Sequence, residues 1–191
     1  MSKFASLPVR STLIQSILFL AAVAIVNVPL AAQVAPGHEA AGLSGRRAPS
    51  FALQDSNMQE RDILDYRGHW LLIDFMRTDC PHCKGLTKLL EATKEKNGLK
   101  ISVLSIVLAP PETQVTVGKY IAENKVTGPI LFDMGQVAIA YFKASPQRPS
   151  FDTPHLFAVN PQGIIVKDWT QAGVEQPGFL AELQQLIDGK K

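Results

Sequence analysis

The chain has 191 residues, of which 46% are apolar and 19% are charged, a balance typical of a folded globular protein of about one domain. Its formal net charge is +2, and Lys3 and Arg10 are the basic residues of the first 32 positions, which hold no acidic residue. The remainder carries 17 basic and 17 acidic residues, so it lacks the positive excess that nucleic-acid binding requires. We therefore exclude a nucleic-acid partner.

The first 32 residues have the pattern of an export signal or a membrane anchor. A basic start leads into an uncharged, mainly apolar run at 11–35, which is densest at 13–30. That stretch is about 18 residues long, just enough to span a bilayer, and the small residues after it lack the small-x-small pattern of a cleavage site. We expect residues 1–32 to be a signal peptide or an N-terminal anchor, with the domain periplasmic or held at the outer side of the membrane.

The rest of the chain divides into a linker and one domain. Residues 33–46 are rich in Gly, Ala and Pro and predict a flexible linker, followed by a domain at 47–190. The apolar runs of the domain predict strands at 51–53, 70–76, 101–108, 130–132, 155–159 and 164–169. Helical patterns predict four helices, at 81–97, from 110–112 through 121, from an N-cap at Asp133 through 142, and from Pro177 onward.

Two details of this pattern fix the architecture. In the first helix, apolar or methyl-bearing side chains recur with helical spacing and Gly98 provides a C-terminal stop; they are Leu86, Leu89, Leu90 and Thr93. The turn sequence Asn160-Pro161-Gln162-Gly163 predicts that the last two strands form an antiparallel hairpin, and the final helix should bury Leu180, Leu183 and Ile187. The fold class is therefore α/β, with a mixed central sheet and helices on both faces.

The motif that carries chemistry is Cys80-Pro81-His82-Cys83, at the junction of a buried strand and a helix. A helix start offers unpaired N–H groups and the positive end of the macrodipole, both of which favour a thiolate. Cys80 lies outermost and is expected to attack, while Cys83, one turn inside, is expected to resolve the mixed disulfide. A protonated His82 would add positive charge beside Cys80.

Two other uses of a Cys-x-x-Cys pair are disfavoured. A structural disulfide closing so short a loop contributes only about 2 kcal/mol, and a domain of this length has enough chain for a proper core. A zinc site needs four ligands, and the sequence has no second Cys-x-x-Cys and no His-x-x-x-His downstream. The pair therefore indicates redox chemistry.

Together with this motif, three further segments resemble the exported thiol–disulfide oxidoreductases of the TlpA/ResA branch of the thioredoxin-like (AhpC/TSA–redoxin) superfamily. They are Ala48-Pro49-Ser50-Phe51-Ala52-Leu53, Tyr66-Arg67-Gly68 and Leu71-Leu72-Ile73-Asp74-Phe75. The resemblance covers roughly residues 46 to 190. It implies a thioredoxin-like fold, protein thiol or disulfide substrates, a membrane redox partner that recycles the dithiol, and no cofactor beyond a redox-active Cys80–Cys83 disulfide.

The resemblance also assigns two residues outside the motif. Pro154 matches the family's cis-proline, which faces the dithiol and helps to dock an extended substrate. Asp74, six residues before Cys80, matches the buried acid that takes the proton of the second cysteine. The chain departs from the family at Asp79, where the family has Trp, and at 145–152, which is longer and more polar than the usual link to the cis-proline.

The direction of the reaction and two alternative functions stay open at this level. The Cys-Pro-His-Cys loop is similar to that of the oxidase DsbA, whereas the TlpA/ResA scaffold is associated with reduction of exported substrates, and Asp79 opposes the thiolate that His82 favours. A thiol peroxidase would need Thr-x-x-Cys, and Thr78 is one residue too close to Cys80. A Cu(I) carrier would use both thiolates with a histidine, and His155 could face either way on its strand.

Overall fold

The computed structural model describes residues 42–143 and 151–189. The predicted signal or anchor at 1–32 lies outside them, as does the linker up to residue 41. The polar segment singled out at 145–152 is described only for its last two residues. Among the described residues, no helix is both long enough and apolar enough to cross a bilayer.

The domain is built on a five-stranded mixed sheet in the order β5-β4-β3-β6-β7, with a two-stranded ribbon, β1-β2, beside it. The strands are β1 (Ala52–Gln54), β2 (Glu60–Asp62), β3 (Trp70–Phe75), β4 (Ile101–Leu108), β5 (Ile130–Asp133), β6 (His155–Val159) and β7 (Ile165–Trp169). The helices are α1 (Pro81–Asn97), α2 (Gln114–Asn124), α3 (Gln136–Phe142), α4 (Gln171–Val174) and α5 (Phe179–Ile187). Short 3₁₀ turns occupy Ile63–Tyr66 and Gly98–Lys100.

The central strand β3 pairs in parallel with β4 and antiparallel with β6, so both of its edges are hydrogen-bonded, and side chains pack on both of its faces. Leu71, Ile73 and Phe75 join a cluster that includes the buried side chains of α3. On the opposite face, Leu72 packs with the buried residues of α1 and α5. Because side chains alternate along a strand, Asp74 lies on the same face as Leu72, the α1 face, two residues further along β3.

Most of the predicted elements are confirmed. Helix α1 begins at Pro81 and ends before Gly98, whose φ of 56° is the conformation that glycine adopts easily. The β6-β7 hairpin is antiparallel as predicted. Asp133 does cap α3, since its carboxylate accepts hydrogen bonds from the N–H groups of Val137 and Ala138, although Gly135 is the residue at the N-cap position.

Three sequence predictions are corrected. The second helix begins at Gln114 after an N-cap at Thr113, because a reciprocal Thr113–Thr116 capping box fixes its start there. The last helix buries Phe179 in place of Leu180, which is 44% exposed. The folded domain also begins before residue 47, because Leu43 is buried and the Gly45 N–H donates to the Ile165 carbonyl at 2.7 Å.

Candidate active site

The two cysteines lie where β3 ends and α1 begins, and both are free thiols. Cys80 is the N-cap residue of α1, and its Sγ accepts a hydrogen bond from the Cys83 N–H at 3.2 Å. Pro81 occupies the first turn, where a missing N–H costs no intrahelical hydrogen bond. Cys80 therefore lies at the start of the helix with a backbone N–H directed at its sulfur.

Cys83 has the opposite environment. Its side chain is fully buried, whereas Cys80 is partly exposed. Burial raises the pKa of the Cys83 thiol well above its ordinary range, and the hydrogen bond with Cys80 raises it further. The backbone of Arg77 acts in the opposite direction and lowers it. Cys80 is thus the accessible sulfur, and Cys83 needs help to lose its proton.

Asp74 is a candidate for that help. Its carboxyl group is fully buried, and no described residue donates a hydrogen bond to either of its oxygens. Burial raises the pKa of Asp74 from 3.8 to about 8. Asp74 and Cys83 are close enough to interact electrostatically, and each is expected to hold its proton at neutral pH. A buried, unpaired carboxyl group is costly to keep, which argues for a role in chemistry.

The structure places Pro154 beside the dithiol. The Thr153–Pro154 peptide bond is cis, and the Thr153 carbonyl oxygen lies 3.8 Å from the Cys80 sulfur. His155, the next residue, turns away: its ring stacks on Phe157, and its Nε2 hydrogen-bonds to the Asp168 carboxylate at 2.9 Å. Since Phe157 belongs to the cluster on the α3 face, His155 lies across the sheet from Cys83.

Two charged side chains of the active-site loop have partners that the sequence did not reveal. The His82 Nδ1 contacts the Glu175 carboxylate at the end of α4, and both side chains are about half exposed. Arg77 makes a two-point hydrogen bond to Asp79, at 3.0 and 2.8 Å, which lowers the pKa of Asp79. Asp79 and His82, which the sequence places near Cys80, therefore each contact a side chain that can carry the opposite charge.

This pairing sets the expected effect of His82. If His82 had no partner, its replacement would lower the reduction potential by roughly 30–65 mV, the equivalent of one charge-assisted hydrogen bond. Because the His82 ring contacts the exposed Glu175 carboxylate, we expect His82→Ala to lower the potential by no more than about 30 mV when the protein is equilibrated with glutathione. A fall of about 60 mV or more would show that His82 acts on the Cys80 sulfur despite Glu175.

A buried carboxylate that sequence reasoning missed lies behind the loop. Glu112, which precedes α2, is 7% exposed and accepts hydrogen bonds from the Thr78 N–H and the Thr78 hydroxyl, both at 2.8 Å. Tyr120 on α2 is also buried near the dithiol, and its hydroxyl pairs with Thr87 at 2.7 Å. Burial raises the pKa of Tyr120 to about 12, so this phenol stays protonated.

The fold and the dithiol at a helix start define a thioredoxin-like protein. The chain belongs to the AhpC/TSA family, which matches residues 44–168. The thiol-disulfide oxidoreductase ResA of Bacillus subtilis is 25% identical over 123 residues, covering 64% of this chain and only 65% of that protein. ResA of Halalkalibacterium halodurans is 26% identical over 148 residues, covering 75% of this chain and 77% of that protein.

A solved structure supports the same fold. The thioredoxin domain of a thiol-disulfide oxidoreductase from Bacteroides vulgatus superimposes with a TM-score of 0.60 at 18% identity, covering 75% of this chain and 97% of that chain. The resemblance to the TlpA/ResA branch and the thioredoxin-like fold class expected from the sequence are therefore confirmed.

Proposed function

We propose that this chain is a thiol–disulfide oxidoreductase that acts on exported proteins through Cys80 and Cys83. The observation that carries the proposal is the contrast between the two sulfurs: Cys80 is accessible at the helix start, and Cys83 is buried one turn behind it. The cis-proline segment beside Cys80 and the similarity to ResA proteins support the same function.

The geometry supports a two-step exchange. The Cys80 thiolate attacks a substrate disulfide, forming a Cys80–substrate bond and releasing one substrate sulfur as a thiolate that takes a proton from solvent. Cys83 then passes its proton to Asp74 and attacks the Cys80 sulfur, which frees the second substrate thiolate and leaves a Cys80–Cys83 disulfide. The substrate gains two electrons and the dithiol loses two. The reverse sequence oxidises a substrate, and the relative reduction potentials decide the direction.

The surface beside the loop has room for a protein segment. An open groove of about 520 Å³ runs from Pro81 and His82 to the region of α4 and α5, and apolar side chains that include Leu89 and Leu180 line it. This proposal includes protein substrates, a membrane partner that recycles the dithiol, and a site of action outside the cytoplasm. They rest on the basic–apolar pattern at 1–32 and on the resemblance stated above.

The peroxidase alternative loses support from the geometry. The Thr78 hydroxyl donates to Glu112, so it is engaged away from the Cys80 sulfur. The other alternative, a Cu(I) carrier, would bring both thiolates together with a histidine. Among residues 42–143 and 151–189, no three His, Cys, Asp or Glu side chains are grouped to hold a metal ion.

The test is catalysis of disulfide exchange in a model protein, with the reduction potential of the Cys80–Cys83 couple measured in the same preparation. We expect the wild type to accelerate reduction of insulin disulfides by a thiol reductant, since one accessible and one shielded sulfur form a cycling couple. Peroxide consumption and copper content are measured alongside. Peroxide turnover without disulfide exchange would contradict the proposal.

A further inference from the structure

We propose that the edge of the sheet opposite the dithiol is a docking surface for a lipid bilayer that contains anionic phospholipid. The inference goes beyond disulfide exchange, because it concerns a surface that the proposed reaction does not use. Its consequence for function is orientation: with this edge on the bilayer, Cys80 faces away from the membrane.

The sheet topology separates this edge from the dithiol. Cys80 follows the end of β3, and the end of that strand pairs with the start of β6. The start of β3, the start of β4 and the β6-β7 turn lie at the opposite edge, because β4 runs parallel to β3 and β6 runs antiparallel to it. We define this basal edge by four segments, at 43–47, 66–69, 96–100 and 160–164.

The four segments form one continuous surface. The Gly45 N–H donates to the Ile165 carbonyl at 2.7 Å, directly after the β6-β7 turn. The Arg67 guanidinium donates to the Gln162 carbonyl of that turn, also at 2.7 Å. The segment at 96–100 lies beside them, because β3 and β4 start next to each other in the sheet.

The basal edge is basic, although the domain as a whole is not. Its segments contain no Asp or Glu, and their Lys and Arg residues are all exposed: Arg46, Arg47, Arg67, Lys96 and Lys100. Among residues 42–143 and 151–189, none of these side chains forms an ion pair with a carboxylate. Asp65 and Glu95 are the acidic residues that flank the segments in sequence. Since the chain after residue 32 holds 17 basic and 17 acidic residues, this edge carries a local positive excess.

An apolar side chain projects from the same edge. Leu99 is 93% exposed and lies between Lys96 and Lys100 in sequence. It lines an open groove together with His69 and Lys125, another exposed basic residue, which follows α2. Basic side chains around an exposed apolar one suit an anionic bilayer, because the charges attract the phosphates and the apolar group enters the interface.

The polypeptide also enters the domain at the basal edge. Leu43, in the first of its segments, is buried in the core, and residues 1–32 have the basic–apolar pattern of an export signal or membrane anchor. A tether that follows an anchor therefore joins the domain at the edge that carries the basic side chains. Charge complementarity and this point of attachment together favour a bilayer over a soluble partner.

The experiment measures how fast individual lysines are acetylated by N-hydroxysuccinimide acetate, with mass spectrometry as the readout. Full-length protein with its dithiol oxidised is placed in nanodiscs of phosphatidylcholine, either alone or mixed with phosphatidylglycerol. We expect Lys96, Lys100 and Lys125 to react about fivefold more slowly when phosphatidylglycerol is present, because they lie against anionic headgroups. Raising the salt from about 0.1 M to about 1 M should remove the difference, because the screening length falls from about 10 Å to about 3 Å.

A lysine at the other edge is the internal control. Lys143 directly follows Phe142, whose ring lies 5.0 Å from that of His155 at the start of β6, on the dithiol side of the sheet. Lys143 is exposed, and its rate should differ by less than about twofold between the two kinds of nanodisc.

Two double variants test whether the position of the charge matters. Arg46→Glu combined with Arg47→Glu keeps the three reporter lysines and should reduce their slowing to less than about twofold. Lys119→Glu, in the middle of α2, combined with Lys143→Glu makes the same change of net charge away from the basal edge. This second variant should keep the full slowing seen in the wild type.

Equal rates in the two kinds of nanodisc, or equal slowing of Lys143, would overturn the docking surface. Protection of the three lysines that grows with protein concentration in phosphatidylcholine alone would assign the edge to a second copy of the chain, and would overturn it too. The salt comparison uses the wild type, so it decides the matter even if a variant does not fold. Disulfide exchange is measured separately: exchange without a lipid effect leaves the proposed function standing, and a lipid effect without exchange leaves only the docking surface.

Discussion

Replacing Cys83 with Ala is expected to convert the protein into a trap that accumulates mixed disulfides with protein substrates, while Cys80→Ala forms none. The reason is the difference between the two sulfurs: Cys80 is partly exposed at the helix N-terminus, and Cys83 is fully buried with a raised pKa. With Cys83 gone, the first attack proceeds and nothing resolves its product. Non-reducing electrophoresis after rapid acid quenching measures the trapped adducts, and turnover of either variant should fall to the uncatalysed background.

Cys80→Ala is the control for nonspecific thiol reactivity, because it keeps Cys83 in place. Adducts through Cys83 in that variant would contradict the assignment of the nucleophile. Peroxide consumption is measured in both variants, since a peroxidase would retain activity with Cys80 alone, as sulfenic acid formation needs only one thiolate. Such retention, together with no protein adducts in Cys83→Ala, would favour the peroxidase alternative.

The parts of this site that the sequence predicted are the parts with local signals. The apolar run of β3, Pro81 at the helix start and Gly98 at its end together place Cys80 as the N-cap. Burial of Asp74 follows from the apolar residues that flank it on a strand covered on both faces. These inferences need only neighbours in the chain, so one sequence is enough to make them.

The missed contacts join residues that are far apart in sequence. Glu112 reaches Thr78 across 34 positions, and Glu175 reaches His82 across 93, so neither pair leaves a periodic pattern. The orientation of His155 depends on its pairing opposite Phe75 in the β3-β6 register, which alternation on β6 alone does not fix. The short strand β2 is polar and partly exposed, and therefore lacks the apolar run that marks the other strands.

Asp74→Asn is expected to change both stability and catalysis in a pH-dependent way. Burial raises the pKa of Asp74 from 3.8 to about 8, so between these values the folded protein holds a proton that the unfolded chain releases. The contribution of Asp74 to stability is therefore fully present below about pH 4 and is lost as the pH rises toward 8, by about 1.4 kcal/mol per pH unit. Asparagine does not titrate, so the stability of Asp74→Asn does not fall with pH for this reason.

The stability test compares unfolding of wild type and Asp74→Asn in denaturant, both reduced. We expect the free energy of unfolding of Asp74→Asn, relative to that of the wild type, to rise by about 3–4 kcal/mol between about pH 5 and about pH 8. Asp55→Asn is the matched control, because Asp55 is also fully buried. Burial acts to raise its pKa, but hydrogen bonds from Gln59, Asn57 and Arg61 bring it below the ordinary value. The Asp55→Asn difference from wild type should therefore stay constant over this range.

The same substitution should slow the second chemical step. Asp74 can accept the Cys83 proton only when it is ionised, so in the wild type the release of substrate from the mixed disulfide should accelerate as the pH rises toward about 8. Asp74→Asn should lose that acceleration and release substrate at least about a hundredfold more slowly at that pH, because general-base assistance is removed. The first attack by Cys80 should be nearly unaffected, since its sulfur is stabilised by the helix start and the Cys83 N–H. Stopped-flow measurement of both steps across pH separates them, and equal slowing of the two would show that Asp74 serves the fold and not the proton transfer.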